Sequence, residues 1–131
     1  MPSTLIEVRR HYTSTEVSAL IEAVQAALVE AFKIPAADRT LRLIGHEPHG
    51  FVCSPRVAEP DRYTLVTIDC FAGRSLDAKR ALYRTIVRNL APLGIPSGSI
   101  KILLRESPTE NWGIGGGQAA CDVELGFKVD V

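Results

Sequence analysis

The chain has 131 residues, enough for one domain with a single hydrophobic core, and it is 46% hydrophobic and 23% charged, as is typical of a soluble globular protein. Fifteen basic and fifteen acidic residues cancel, which argues against a nucleic-acid partner or a membrane surface. No apolar run is long enough to span a bilayer, no signal-peptide pattern opens the sequence, and three widely spaced cysteines favour reduced thiols in the cytoplasm.

The first predicted element is a strand at residues 4–8, TLIEV, which follows Met1 and Pro2 almost directly. If Met1 is removed, Pro2 carries a free secondary amine, a base and nucleophile that no side chain supplies. An ordinary α-amino group has a pKa of about 7.7–8.0, and burial in an apolar site disfavours its charged form. Proline at position 2 is also common where it has no chemical role, so this segment alone leaves both interpretations open.

An internal repeat organises the rest of the chain. Residues 13–35 and 74–96 are both 23 residues long, both end in Ile-Pro and are offset by 61 positions. In each segment apolar side chains recur at helical spacing. These are Val17, Leu20, Ile21, Val24, Leu28 and Phe32 in the first, and Ala78, Leu82, Ile86, Leu90 and Leu93 in the second. Strand-like runs flank the first segment at residues 4–8 and 40–47, and the second at 63–71 and 99–107.

These elements predict an α/β (α+β) fold made of duplicated β-α-β units in a single domain. The first repeat covers about residues 2–47 and the second about 63–107, and a proline-rich linker joins them at about 48–62. Together they give a four-stranded mixed sheet with two helices on one face. The other face is left uncovered, and a broad exposed apolar surface usually marks an interface. The sequence therefore predicts a homo-oligomer.

The two halves differ at the start of their helices. Thr13 and Glu16 form a predicted capping box in the first half, whereas Arg74 stands at the position of Thr13 in the second, where Ser75 is the expected cap. A cation there opposes the helix dipole at a cost of up to about 1 kcal/mol. An anion held by Arg74 and the helix amides would reverse that sign, although position alone favours a solvated arginine in a loop.

Two other polar features stand out, an equivalent pair of turn residues and a pair of histidines. Asp38 follows the first Ile-Pro and its counterpart is Ser99, so both are interpreted as turn caps when taken alone. His46 and His49 have a spacing that suits a metal ion, but no third ligand stands nearby.

The C-terminal segment at 108–131 holds Trp112 and four closely spaced glycines. The phosphate-loop lysine and the full dinucleotide fingerprint are both missing, so the glycines indicate a backbone turn instead. A core or interface position is the default for Trp112. A short terminal strand is predicted at residues 121–129, CDVELGFKV.

Taken together, five features resemble the tautomerase superfamily, in particular the group around malonate semialdehyde decarboxylase. They are Pro2 before a strand, the doubled β-α-β units, Asp38 after Ile-Pro, AGRS at residues 72–75, and NWGIGGG late in the chain. The resemblance covers nearly the whole sequence, and the spacing from Pro2 through AFKIPAADR matches without a gap.

The resemblance implies a homotrimer of doubled β-α-β chains, a small anionic organic acid as substrate, and no metal or organic cofactor. It further implies that Met1 is removed and that Pro2 is the catalytic amine in a pocket between subunits. Asp38 would be the polar partner of that amine and Arg74 would clamp the substrate carboxylate. Trp112 and Ile114 would line the pocket. The implied reaction is keto–enol tautomerisation of small 2-oxo acids, with Pro2 as general base.

Two departures bear on the choice of reaction. The decarboxylases of the group carry two arginines where this chain has Ala72 and Arg74, and an aromatic residue where it has Ile114. Neither difference removes what tautomerisation requires. Decarboxylation or hydration of 3-oxo or acetylenic acids stays as the alternative reaction, and a trimeric binding protein without catalysis stays as the alternative class. His11, Tyr12 and Arg39 are further candidates for the site that the sequence does not rank.

Overall fold

A computed structural model describes residues 2–131, so the expected removal of Met1 lies outside the described residues. The main elements are β1 (Ser3–Val8), α1 (Ser14–Phe32), β2 (Leu41–Gly45), β3 (Thr64–Phe71), α2 (Leu76–Leu90) and β4 (Ile100–Ser107). Two short strands, β5 (Gly113–Ile114) and β6 (Gln118–Ala119), form a hairpin near the C-terminus. Within residues 2–131, no helix has the length and apolar character needed to cross a membrane.

The sheet confirms the predicted duplicated architecture. Its strand order is β2-β1-β3-β4, with parallel pairing inside each half and antiparallel pairing between β1 and β3. The helices α1 and α2 pack side by side, joined by a hydrogen bond of 3.0 Å from the Asn89 side chain to the Ala23 carbonyl oxygen. The arrangement is therefore a mixed sheet with two helices on one face.

The hydrophobic core lies between the sheet and the helices. Alternate strand residues are buried on that side because successive side chains of a strand point to opposite faces. The buried set comprises Ile6, Val8, Val66, Ile68 and Cys70 of the strands, Leu20, Val24, Leu28 and Phe32 of α1, and Leu82, Ile86 and Leu90 of α2. On the open face, Ile44 and Leu103 keep 44% and 50% of their surface exposed.

Both helix starts form as the sequence predicts. The Thr13 hydroxyl accepts from the Glu16 amide at 3.2 Å, while the Glu16 carboxylate accepts from the Thr13 amide at 3.0 Å. The Ser75 hydroxyl accepts from the Ala78 amide at 3.1 Å. Because the two caps satisfy helix amides with their own side chains, Arg74 is not needed to complete the second helix.

The segment between the halves contains two short 3₁₀ turns, Pro48–Gly50 and Pro60–Arg62. The Arg9 guanidinium holds it in place by donating to the carbonyl oxygens of Phe51 at 2.6 Å, Pro60 at 2.8 Å and Pro48 at 3.3 Å. Arg9 directly follows β1, so the segment is fastened to the end of the sheet that lies away from Pro2.

The short strand predicted at residues 121–129 is wrong. That segment begins in a 3₁₀ turn at Ala120–Asp122, and Gly126 has a left-handed φ of 78°, which interrupts an extended run. The segment crosses the loop before α2, where the Ser75 amide donates to the Val131 carbonyl oxygen at 3.0 Å. A methyl group at Gly73 would lie only 3.0 Å from Val129 Cγ1. The last residues are therefore used to cover this loop and not to extend a sheet.

Candidate active site

The strand directions bring the predicted site residues to one edge of the sheet. β1 begins where β2 begins, because the two are parallel and Thr4 pairs with Leu41. β1 is antiparallel to β3, so its beginning also lies beside the end of β3, where Ser3 pairs with Asp69. β4 ends beside β3 in turn. The edge thus combines the start of the chain with three loops that are far apart in sequence.

Pro2 lies at this edge, immediately before β1, and it is buried. Continuing the β1–β3 register by one residue places it opposite Cys70. On the other side, the Thr4 amide donates to the Thr40 carbonyl oxygen at 2.9 Å, which ties the start of β1 to the loop that carries Asp38. Because Pro2 is buried, a free amine at its nitrogen would lie in an apolar environment, which disfavours the charged form of the amine.

Arg74 is the most unusual polar side chain of the structure. It is only 6% exposed, and its guanidinium carbon lies 4.7 Å from the centre of the Phe32 ring. One nitrogen, Nη1, donates to the Phe71 carbonyl oxygen at 3.3 Å. Its Nε and Nη2 atoms are buried and have no hydrogen-bond partner among residues 2–131. Buried charges are normally paired, since an unpaired one is expensive, so these two N–H groups define a site that is ready to take an anion.

Burial and neighbouring acidic groups have opposite effects on the pKa of the Arg74 guanidinium. Burial lowers the pKa of its guanidinium, while Cys70, Glu106 and Asp38 act in the opposite direction. An arginine nonetheless stays protonated in proteins. Its planar fork suits a carboxylate, which can accept two parallel hydrogen bonds from it.

Asp38 stands in the loop before β2, half-buried, and is close enough for its charge to influence the guanidinium of Arg74. The loop is held by Gln25 of α1, whose amide group donates to the carbonyl oxygens of Asp38 at 3.2 Å and Ala36 at 3.4 Å. Gln25 is 3% exposed. It is thus a buried polar anchor that fixes the backbone from which Asp38 extends.

A cavity of about 360 Å³ opens beside this loop. Asp38 and Ile114 both line it, together with Pro35, Ala37, Val123, Glu124, Leu125 and Phe127. The cavity therefore joins two of the predicted site residues and borrows one wall from the C-terminal segment. Pro2 and Arg74 are not on its walls within one protomer.

Trp112 packs against Phe71, next to the candidate site. Its ring meets Phe71 edge to face, with centroids 5.1 Å apart, and its indole nitrogen donates to the Ser107 hydroxyl at 2.8 Å. Phe71 also supplies the carbonyl oxygen that holds Arg74. Phe71 therefore connects Trp112 to the Arg74 guanidinium, because its ring contacts Trp112 and its carbonyl oxygen accepts from Arg74.

The other candidates bond to residues that do not line the cavity. His11 and Tyr12 follow the far end of β1, where His11 Nε2 lies 2.7 Å from a carboxylate oxygen of Glu47. Arg39 is paired with Glu22 on α1. His46 Nε2 is 3.0 Å from a carboxylate oxygen of Glu7. In residues 2–131 no group of three or more His, Cys, Asp or Glu side chains is arranged to hold a metal ion.

Cys70 is the buried thiol of the site. It is 1% exposed, and burial raises its pKa to about 11, with Arg74 acting in the opposite direction. The cysteines at 53, 70 and 121 are all free. A thiol with such a raised pKa is a poor nucleophile at neutral pH, because the thiolate is the reactive form.

We expect Cys70 to make the protein less stable in alkali. The unfolded thiol loses its proton near pH 8.5 while the native one keeps it until about pH 11, so deprotonation favours unfolding in this window. The free energy of unfolding should fall by up to about 1.4 kcal/mol per pH unit. Urea denaturation of wild type and Cys70→Ala at pH 8, 9 and 10 should show the steeper fall only in wild type. Cys121→Ala, which removes an exposed thiol, should keep that slope; equal slopes in all three proteins would contradict this account.

Comparison with known sequences gives one consistent result. A family model described as "Tautomerase enzyme" matches residues 38–115. A probable tautomerase of Ralstonia nicotianae is 32% identical over 53 residues, which are 40% of this chain and 76% of the relative. The 2-hydroxymuconate tautomerase of Comamonas testosteroni is 38% identical over 45 residues, 34% of this chain and 71% of that one. Both relatives are thus about half as long as this chain, in keeping with its internal repeat.

Comparison with solved structures extends the likeness to most of the chain. FG41 malonate semialdehyde decarboxylase inhibited by 3-bromopropiolate has a TM-score of 0.76 and 28% identity, over 89% of this chain and 92% of its own. Another malonate semialdehyde decarboxylase gives 0.83 with 23% identity, over 93% and 99%. A fused 4-OT, described as a symmetric trimer, gives 0.79 with 24% identity, over 90% and 95%. The last two are evidence for the fold alone.

Proposed function

Because this chain belongs to the tautomerase family, we propose that it is a cofactor-independent tautomerase that interconverts the keto and enol forms of small 2-oxo acids. One observation carries the proposal. The buried Arg74 guanidinium leaves Nε and Nη2 without a hydrogen-bond partner among residues 2–131, at the sheet edge where Pro2 precedes β1. A base and an anion clamp are thus offered together, which is the minimum that the reaction needs.

In this mechanism Pro2 acts after removal of Met1, because a retained methionine would turn its nitrogen into a non-basic amide. The neutral amine takes a proton from the carbon next to the substrate carbonyl, and the electrons of the broken C–H bond form the enolate. The proline ammonium then gives this proton to the enolate oxygen, which completes the enol and leaves the amine neutral again. In the ketonisation direction the neutral amine takes the proton from the enol oxygen and delivers it to carbon.

Arg74 binds the substrate carboxylate in this proposal and stabilises the negative charge that develops on the enolate. Asp38 lines the 360 Å³ cavity, and in this proposal its carboxylate orients the amine of Pro2, which lies outside the walls of that cavity within one protomer. The rest of that wall, including Ile114, is largely apolar and suits the side chain of the acid.

A homotrimer is part of the proposal. The open sheet face exposes half of Leu103 and nearly half of Ile44, and the fused 4-OT with the same fold is described as a symmetric trimer. A neighbouring subunit on this face would cover these side chains. It would also close the site, since within one protomer Pro2 and Arg74 do not share the walls of the cavity with Asp38.

The function is tested by ketonisation of phenylenolpyruvate, followed by ultraviolet absorbance, with protein shown by intact mass to lack Met1. We expect saturable turnover far above the buffer rate. Protein that retains Met1 is the matched control and should be inactive. Absence of turnover in correctly processed protein would remove the tautomerase proposal.

A second candidate is decarboxylation or hydration of 3-oxo or acetylenic acids. It is favoured by the 28% identity to a malonate semialdehyde decarboxylase over most of both chains. Ala72 stands against it, because that position cannot supply a second guanidinium. Release of carbon dioxide from malonate semialdehyde would identify this activity, and absence of both activities would leave a binding protein with the same fold.

A further inference from the structure

An ion pair lies directly beside the candidate site and has no part in the mechanism above. Lys79 Nζ of α2 is 2.6 Å from a carboxylate oxygen of Glu106 of β4, and the two side chains are only 23% and 27% exposed. We propose that Lys79 is a positioning residue that holds the Glu106 carboxylate away from Arg74, so that the guanidinium stays available to the substrate carboxylate. This inference rests on the proposed function, in which Arg74 binds the substrate.

The register of the sheet puts Glu106 within reach of the site. It pairs with Cys70 across the parallel strands β3 and β4, and it lies on the face that the helices cover. Lys79 is one helical turn after the cap of α2, since its amide donates to the Ser75 carbonyl oxygen at 3.1 Å. Arg74 immediately precedes that cap. The three charges therefore meet where β3, β4 and α2 converge.

Lys79 and Arg74 are two cations that compete for the Glu106 carboxylate, and this carboxylate is paired with Lys79. Glu106 acts electrostatically on both Arg74 and Cys70, and the Arg74 guanidinium has two donors without a partner among residues 2–131. Without Lys79, the Glu106 carboxylate would be left to accept from those donors, and of the two carboxylates that act on Arg74 it has the larger electrostatic effect. Such an internal pair would occupy the fork that a substrate carboxylate requires.

The contrasting view is that Lys79–Glu106 is an ordinary ion pair, which contributes about 0–1 kcal/mol to stability and nothing to binding. The two views predict different kinetics. A stabilising pair changes the melting temperature and leaves KM alone. A pair that protects Arg74 changes KM, and removal of the competing carboxylate restores it.

The experiment is a double-mutant cycle read by KM for phenylenolpyruvate. Lys79→Met should raise KM about tenfold with kcat within about twofold, which is within the range for coupled charges in contact. Glu106→Gln should leave KM unchanged or lower it, and Lys79→Met/Glu106→Gln should return KM to the wild-type value. Lys79→Arg, which keeps the charge, should behave as wild type. Arg80→Met, the loss of an exposed cation on the same helix, is the matched control.

Two further readouts separate the explanations. Raising the salt concentration to 0.5 M should leave most of the KM increase in Lys79→Met, because a direct contact between half-buried groups is screened little. An increase that disappears in salt, an unchanged KM, or a double variant as poor as Lys79→Met would each overturn the inference.

Calorimetric binding of phenylpyruvate to the same variants gives the same comparison without turnover. If the binding pattern holds in a protein that does not turn over, the proposed function fails and the inference stands.

Discussion

Replacing Pro2 with alanine should lower kcat/KM for phenylenolpyruvate ketonisation by at least about 10²-fold, with most of the loss in kcat. A positioned general base typically contributes 10²–10⁴-fold. Alanine still presents an N-terminal amine after removal of Met1, but it loses the ring that fixes the direction of the nitrogen lone pair. The loss therefore measures how far the reaction depends on a rigid, oriented secondary amine.

The measurement needs intact masses of both proteins, because a difference in removal of Met1 would imitate the effect. The pH dependence of kcat/KM gives an independent check. Its rising limb should follow the ionisation of the N-terminal amine and should move in the alanine variant, since a primary amine has a different basicity. Turnover of Pro2→Ala within threefold of wild type would sink the proposed role of Pro2.

Arg74→Met should have opposite effects on activity and stability. Loss of a buried partner of a charged group costs about 2–5 kcal/mol in binding, so kcat/KM should fall by roughly 10²–10³-fold, mainly through a raised KM. The ligand-free protein should become more stable, because the substitution removes a buried guanidinium of which two nitrogens have no partner in the described part of the chain. Methionine keeps a favourable contact with the Phe32 ring. A gain of about 1 kcal/mol would raise the melting temperature by about 3–5 °C.

Calorimetric melting and steady-state kinetics on the same preparations test both signs. Arg84→Met, which removes an exposed arginine of α2, is the control and should change neither quantity much. Arg74→Lys should fall between wild type and Arg74→Met in KM, because a lysine keeps the charge and loses the fork. A less stable and fully active Arg74→Met would mean that Arg74 supports the loop and does not bind substrate.

The fold could be predicted from the sequence because the internal duplication repeats the same pattern of apolar residues in both halves. Each helix start and each strand occurs in both halves, whereas Pro92 and Gly94, which break a helix, occur only in the second. At the break, α2 ends at Leu90 and a 3₁₀ turn follows, with Gly94 in the left-handed region. The terminal strand failed because residues 121–129 have no counterpart in the first half. Alternation of apolar residues there reflects packing against a loop.

The site was only partly accessible from the sequence. Arg74 stands out because it replaces the helix cap of the first half, but its burial against Phe32 depends on how α1 and α2 pack. Gln25 was missed although a signal exists. It lies four residues after Ile21 and three before Leu28, so helical periodicity places a polar amide on the apolar face of α1. Ser107 gave no signal, since its side-chain contact with Trp112 joins the last residue of β4 to the loop that follows it.

The doubled chain has a consequence for how this protein can change. A symmetric pair of half-length chains must carry every mutation at both ends of its sheet, whereas here the two ends are encoded separately. One end received Arg74, and the equivalent end kept Thr13 in a capping box and uses Ser99, the counterpart of Asp38, to grip the Glu59 backbone. Selection for the proposed chemistry and selection for folding thus act on different codons. The sheet end that carries Thr13 and Ser99, which holds no residue of the proposed site, is the natural place to graft new loops.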